Sequence, residues 1–270
     1  MLNAIIYNLK SPHKIPQKIL KKIVFLYKKR KFKSEPFIAE QNKKFEDKKL
    51  DRIEGGKKLD EIKKKYNFLI REMSSEHELL FSSISIKSEI NINNILEIGT
   101  FDGANSFLLS KLFENSKIET IDLKSNEKEF YDFYNRKDNL KNFINDRNAL
   151  LDQSKNVAFH ELNSVKLILS KKKYDLIWID GAHGYPVCCI DIINSLKLIN
   201  EKGFIMVDDI SLELDENDKM YESVAGYETL RELKKNNVIE FDLFYKRLDA
   251  HSNCDEKKIK YVALVKKTNE

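Results

Sequence analysis

Two stretches of this 270-residue chain hold side chains whose types and spacing could do chemistry. The first is Tyr174-Asp175-Leu176-Ile177-Trp178-Ile179-Asp180-Gly181-Ala182-His183-Gly184-Tyr185, an apolar run that ends on a carboxylate and continues into a small-residue turn. His183 lies three residues past Asp180, just beyond a strand end. An imidazole with its ordinary pKa of ~6.5 suits proton transfer near neutral pH. A structural hydrogen bond is the competing role for His183. A second apolar run, Gly203-Phe204-Ile205-Met206-Val207, ends on Asp208-Asp209. Asp180, Asp208 and Asp209 are therefore candidate oxygen ligands for Mg²⁺ or Mn²⁺. The alternative is that Asp180 and Asp208 orient a ligand and a substrate with no metal. Adjacent side chains leaving a strand point to opposite faces, so only irregular backbone beyond it could turn Asp208 and Asp209 inward together.

The other stretch is Ile95-Leu96-Glu97-Ile98-Gly99-Thr100-Phe101-Asp102-Gly103-Ala104-Asn105-Ser106, a strand, a glycine turn and a helix start. Gly99 and Gly103 let backbone approach a ligand closely. Such a turn lies at the carboxyl end of a strand, where open α/β sheets bind ligands. Asp122 follows Gly99 by 23 residues at the end of the next strand. A carboxylate there can accept both hydroxyls of a ribose. Leu162-Asn163-Ser164 forms the corresponding loop after the third strand, with Ser164 a candidate helix N-cap.

The elements that must position these residues alternate. Strands are predicted over Asn94–Ile98, Lys117–Leu123, Asn156–Glu161, Tyr174–Asp180 and Gly203–Val207. Helices are predicted over Ala104–Phe113, Glu127–Leu151, Ser164–Ser170, Val187–Ile199 and Ser223–Lys235. Val238–Tyr245 and Lys258–Val265 close the chain as two strands without a helix between them. This order implies an α/β fold: a Rossmann-like, doubly wound, mostly parallel seven-stranded sheet with an antiparallel edge hairpin. Ahead of it stands an N-terminal helical extension. Helices are expected from Pro16 to Lys29, across 37–73 with a break at Gly55-Gly56, and over Glu76–Ser88. Leu59, Ile62, Tyr66, Leu69 and Ile70 mark one helical face in the middle of these. The division expected is a basic helical extension or cap over 1–73 and a catalytic domain over 74–270.

The pattern E-x-G-x-x-x-G at Glu97, Gly99 and Gly103 resembles motif I of class I S-adenosylmethionine (SAM)-dependent methyltransferases. It lacks the third glycine of a dinucleotide fingerprint, and Asp102 would repel a pyrophosphate, which disfavours a nicotinamide oxidoreductase. The Asp180-Gly181-x-His183-x-Tyr185 segment, with Val187 and Asp191, resembles a branch of bacterial small-molecule methyltransferases that includes sugar O-methyltransferases. The metal-dependent catechol-type enzymes are more distant. Gly203 to Asp209 is similar to that branch's G-G-x-x-x-x-D-D stretch, with Lys202 in place of the first glycine. The likeness spans roughly 76–266. It implies that Glu97, Gly99, Thr100, Phe101, Gly103, Asn105, Ser106, Asp122, Leu123, Asn163, Ser164 and Asp180 bind SAM, with Asn105 facing its carboxylate and Asn163-Ser164 its adenine. His183 and Asp180 would be catalytic, and the acceptor a small-molecule hydroxyl, on a carbohydrate or nucleotide-linked sugar. An N- or phosphate-linked acceptor is the alternative. A non-catalytic scaffold at a membrane surface is disfavoured by the joint presence of Gly99, Gly103 and Asp122. The loop from Ser211 to Tyr221 would cover the substrate, with Tyr221 and Tyr227 as contacts.

Charge is unevenly spread. The net +5 combines 21 Lys/Arg against 9 Asp/Glu in residues 1–73 with an acidic remainder. Residues 1–36 hold ten Lys/Arg and a single acidic residue, Glu35, with Ile15, Ile19, Leu20, Ile23, Val24 and Leu26 at helical spacing. This basic amphipathic helix could pack its apolar face on the catalytic domain or a second subunit, attach to an anionic membrane as a peripheral contact, or hold an anionic substrate. Nucleic acid is disfavoured because no aromatics interleave the basic residues. A homo-oligomer is expected. Three cysteines, Cys188, Cys189 and Cys254, show no disulfide or metal spacing, and no signal peptide is read at Met1–Tyr7. The longest apolar run near the front, Ile23–Tyr27, is far short of the ~20 residues a membrane span needs. A cytoplasmic protein is expected, free or peripheral to the membrane. His13, His77, His160 and His251 lack motif context and read as structural.

Overall fold

The computed structural model describes residues 15–66, 75–132, 139–214 and 223–268. Helices α1 (Ile15–Lys31), α2 (Glu35–Asp47), α3 (Arg52–Lys65) and α4 (Glu76–Ser85) precede strand β1 (Asn94–Ile98). The chain continues through α5 (Ala104–Leu112), β2 (Lys117–Asp122), α6 (Lys128–Asp132), α7 (Leu140–Leu151) and β3 (Val157–Glu161). A 3₁₀ helix (Ser164–Leu169) leads to β4 (Tyr174–Ile179), α8 (Val187–Leu198), β5 (Ile199–Ser211) and α9 (Ala225–Lys235). Strand β6 (Ile239–Tyr245), the short α10 (Ala250–Asn253) and β7 (Lys260–Lys267) finish it.

The sheet has seven strands in the order β3-β2-β1-β4-β5-β7-β6. Strands β1 to β5 pair in parallel, and β7 inserts antiparallel between β5 and β6. The order reverses beside β1, between β1 and β4. That is the switch point where an open α/β sheet leaves a crevice at its carboxyl edge. Strand β6 ends at this same edge and β7 begins there, with Lys260 paired to Ser211. The edge thus collects the ends of β1, β2, β4, β5 and β6.

Period-two alternation sends side chains to two cores. Ile95, Leu176, Trp178, Met206 and Leu264 face one side, where Phe45, Leu59, Ile62, Leu80 and Leu108 cover them. Leu96, Ile177, Ile179, Ile205, Val207 and Val265 face the other, under Cys188, Ile192, Leu230 and Leu167. Helices α2 and α3 therefore share the core of the sheet rather than lying over it. Gln41 fixes α2 to the edge strand: its Oε1 accepts from Tyr245 N (2.9 Å) and its Nε2 donates to Tyr245 O (3.2 Å).

Three expectations are corrected. Helix α3 runs through Gly55-Gly56 without a break. Gly55 is there for close packing, since a Cβ would lie 2.2 Å from Ser83 Oγ, and Ser82 Oγ donates to Gly55 O (2.7 Å). The break falls at 48–51 instead, where Asp51 caps α3 by accepting from Ile53 N and Glu54 N (3.0 and 2.9 Å). The Glu127–Leu151 crossover is two helices, α6 and α7. The apolar stripe of α1 does not pack on the body: Leu20, Ile23, Val24, Leu26 and Tyr27 are each 45–62% exposed. The docked contacts are Phe25 against His251 and Lys28, at the margin of the stripe, paired with Asp255 at 3.2 Å. Leu69, Ile70, Tyr221 and His13, and the side chains of Ile15 and Ile19, lie outside the described residues.

Candidate active site

The glycine turn is built by backbone first. Gly99 (φ 102°), Phe101 (φ 50°) and Gly103 (φ 80°) all take left-handed conformations. At Gly99 a side chain is excluded twice over, because a Cβ would also meet Asp180 O at 2.3 Å. The turn hangs on β2 through Gly99 N and Thr100 N, both donating to Ile121 O (2.9 and 3.2 Å). Asp180 N donates to Ile98 O (2.8 Å), so the ends of β1 and β4 lie side by side.

Glu97 does not reach the crevice. It is fully buried, and its carboxylate accepts from Asn105 Nδ2 (2.8 Å), Thr120 Oγ1 (2.6 Å) and Ser106 Oγ. Burial raises its pKa to about 7, outweighing those three donors. Thr100 is also buried, with its hydroxyl 2.6 Å from that of Thr120. Glu97, Thr100 and Ser106 thus form a polar brace beneath the turn. Asn105 stands at its margin, its Oδ1 buried without a hydrogen-bond partner.

Asp122 sits half-buried at the end of β2. Its two oxygens accept from Phe101 N and Leu123 N, each at 2.8 Å. The half-buried Leu123 follows it. Beside it, past the end of β3, Asn163 and not Ser164 is the N-cap of the 3₁₀ helix: Asn163 Oδ1 accepts from Val165 N (3.0 Å). Ser164 is the first helical residue, and both carboxylate oxygens of Asp191 on α8 are buried without a hydrogen-bond partner. Arg147 escaped the sequence reading. It is buried under the turn, its guanidinium 4.1 Å from the Phe159 ring centre and its Nη1 unpartnered.

At the ends of β4 and β5 the expected acidic trio does converge, but on a lysine. Lys246 Nζ lies 2.5 Å from Asp208 Oδ2 and 2.5 Å from Asp209 Oδ1. Lys260 Nζ lies 3.3 Å from Asp209 Oδ2. His183 Nε2 stands 3.5 Å from Asp209 Oδ2 and 3.8 Å from Asp180 Oδ1, inside Coulomb range but beyond hydrogen-bond length. The geometry that permits this is a bulge inside β5. Its register against β7 shifts between Val207 and Ile210, and Asp209 takes φ 52°. The irregular backbone is within the strand, not beyond it. Among the described residues no group of three or more His, Cys, Asp or Glu is arranged to hold a metal. Neither lysine was anticipated. The signal was available, since Lys246 directly follows the apolar strand 239–245 and Lys260 opens the next one.

Charge states follow from this packing. Burial lifts Asp180 well above the usual carboxylate range, and the nearby charge of Asp208 adds to it. Against the cost of burial, Lys246, His183 and Lys260 hold Asp209 far below that range. Burial lowers His183 below 6.5, against the pull of Asp209 and Asp208. The imidazole is therefore neutral at physiological pH and able to accept a proton. Asp208 Oδ1 is buried with no partner. Tyr227 packs edge-on to Phe241, with its ring in the core beneath α9. Of the remaining described histidines, His77 stacks 4.8 Å from Trp178, while His160, near Glu119, and His251, against Phe25, are at the surface.

The turn, Asp122, His183 and the acidic trio all fall within one segment. Residues 96–210 match the family model of a methyltransferase domain. The matched segment spans β1 to β5, including both sides of the switch point. Two solved structures resemble the fold of the chain. One is the O-methyltransferase TomG from Streptomyces achromogenes, involved in tomaymycin synthesis and solved with SAM. It is 16% identical, has a TM-score of 0.50, and aligns over 82% of this chain and 92% of its own. The other is cofactor-bound Rv0187 from MTB, 15% identical with a TM-score of 0.50, over 87% and 91%. A search of curated protein sequences finds no match.

Proposed function

We propose that this methyltransferase carries a methyl group from SAM to a hydroxyl of a small molecule, with a carbohydrate or nucleotide-linked sugar as the acceptor class. The observation that carries the reading is the presence, at one edge of the sheet, of a strand-end carboxylate, Asp122, and a partly buried imidazole of lowered pKa, His183. Asp122 stands where a ribose would lie against the glycine turn, and its orientation is fixed by two backbone N–H groups. Asn105 offers a buried carbonyl oxygen in want of a donor, which suits the ammonium end of an amino-acid group. These residues fit SAM. Gly99, Phe101, Gly103, Leu123, Asn163 and Ser164 would line the cofactor, and Glu97, Thr100 and Ser106 would hold the turn from beneath.

When bound, SAM supplies an activated methyl group on a sulfonium. The chain must align an acceptor oxygen in line with it and take up the hydroxyl proton. His183 is placed for the proton, and Asp209 stabilises the imidazolium that results. Asp180 and Asp208, at the same edge, would orient the acceptor, with Asp208 Oδ1 an open buried acceptor for a hydroxyl. The other methyl acceptors fit less well. An amine held in this site would meet the buried Lys246 and the partly buried Lys260, and a phosphate would meet the carboxyl groups of Asp180, Asp208 and Asp209.

Incubation with methyl-labelled SAM and a panel of glycosides, nucleotide sugars and simple phenols tests this. Label recovered in a base-stable methyl ether, and lost with His183→Ala, is the expected outcome. Label on an amine or a phosphate would sink the hydroxyl reading.

A further inference from the structure

We infer that the ammonium of Lys246 is the resident cation of this site, seated among the three carboxylates that would otherwise gather a divalent metal. The position of the nitrogen carries the argument. It lies 2.5 Å from one oxygen of each of two adjacent aspartates, bridging them as a shared cation would. It is no surface lysine folded back. Its side chain is 9% exposed, and those of Asp208 and Asp209 are 3% and 17% exposed. Its main chain is pinned on two sides: Lys246 N donates to Lys260 O (2.8 Å), and Lys246 O accepts from Glu76 N (2.9 Å).

The charges around it close. Asp208 and Asp209 contribute two negative charges, and Lys246 and Lys260 two positive ones. The remaining members, Asp180 and His183, can both be neutral. A divalent ion added to this group would confront two ammonium groups within a few ångströms. Mg²⁺ also demands oxygen ligands at about 2.0–2.1 Å in octahedral array. The oxygens best placed to supply them are already held by Lys246. The donor set therefore fits an ammonium and does not fit a divalent metal.

Lys246 is on this account a positioning residue. It fixes the Asp208 and Asp209 carboxylates, and through Asp209 the setting of His183. Its role as a resident cation stands whether or not the methyl-transfer reading does. Only the consequence for turnover, that methyl transfer needs no added metal, rests on that reading.

The test is Mn²⁺ binding followed by electron paramagnetic resonance on the full chain, without SAM or acceptor. Wild-type protein is expected to leave Mn²⁺ free. Lys246→Ala, which removes the ammonium and keeps the carboxylates, is expected to bind one Mn²⁺ more than about tenfold tighter. Mn²⁺ should then raise the melting temperature of that variant and not that of wild type. Lys246→Arg, which keeps the charge, should behave as wild type does. Stoichiometric Mn²⁺ binding by wild type that Asp209→Asn abolishes would overturn the inference. A folded Lys246→Ala protein with no gain in Mn²⁺ affinity would overturn it too. If that variant does not fold, the wild-type titration with Asp209→Asn decides alone. None of these readouts involves SAM, so their failure is distinct from failure of the proposed activity.

Discussion

His183 and Glu97 show how burial sets opposite tasks for two titratable groups. Burial lowers the pKa of His183, and Asp209, 3.5 Å away, favours the positive charge the imidazole gains on taking a proton. Replacing it with alanine should lower turnover about 10²- to 10⁴-fold with little change in SAM affinity. Steady-state kinetics beside calorimetry separates the two, and unchanged turnover defeats the assignment. Glu97 is held protonated more tightly in the folded chain than out of it, at about 7 against an ordinary 4.5. Its contribution to stability is therefore full below about 4.5 and lost as the pH rises through about 7. Glu97→Gln should flatten the stability profile across that window, by about 3 kcal/mol at most. Denaturant midpoints at pH 5 and pH 7.5 measure it, and an unchanged slope counts against a buried, raised carboxyl. The resemblance to motif I marked Glu97 as a ligand-facing residue, but not that Ser106 and Thr120 would turn its carboxylate inward. A motif gives residue types, whereas hydrogen-bond partners come from neighbouring strands.

At the scale of elements, the two adjacent glycines of α3 give a contrast that the sequence could not resolve. A Cβ at Gly55 would strike the main chain and hydroxyl of Ser83, whereas one at Gly56 would rest 3.7 Å from Leu79. Gly55→Ala should destabilise by about 1–3 kcal/mol through overpacking. Gly56→Ala should stabilise by up to about 1 kcal/mol, the helix-propensity gain. Thermal or chemical unfolding of the two variants checks the signs, and equal effects would contradict the close α3–α4 contact. A paired glycine reads as a breaker in a single sequence because the helix it admits lies twenty-odd residues on. The strands were more legible. Asn94–Ile98 matches β1 from end to end, and the ends of β2 and β4 fall within a residue of expectation, since each is a short, isoleucine-containing segment bounded by polar residues. Strand β5 was underestimated: its polar ends at Asn200-Glu201-Lys202 and Asp208-Asp209 look like loops, but β4 and β7 hold them in the sheet.

For the whole molecule, the division of charge finds its place in α1. The stripe Leu20, Ile23, Val24 and Tyr27 has the i, i+3, i+4, i+7 spacing of one helical face and points to solvent. Lys22, Lys28, Lys29, Arg30 and Lys31 are on the same helix, which has no acidic residue. No helix among the described residues is long and apolar enough to cross a membrane. We propose that this face lies on an anionic lipid surface. Each basic side chain near such a surface adds about 1 kcal/mol, which salt screens. Sedimentation with vesicles containing phosphatidylserine should capture the chain at low salt and release it at high salt. Ile23→Glu should abolish capture without altering SAM affinity. Capture that is insensitive to salt and to Ile23→Glu would refute the proposal.

The proposed activity depends on the crevice at the switch point being a SAM site. Isothermal calorimetry of SAM against the folded full chain, with Asp122→Ala in parallel, tests that most directly. Wild type is expected to bind one SAM with a dissociation constant on the order of micromolar. Asp122→Ala, shown folded by circular dichroism, should lose about 1–3 kcal/mol of binding free energy. Folded wild-type protein that binds no SAM, or a variant that binds it as tightly as wild type, would contradict the account.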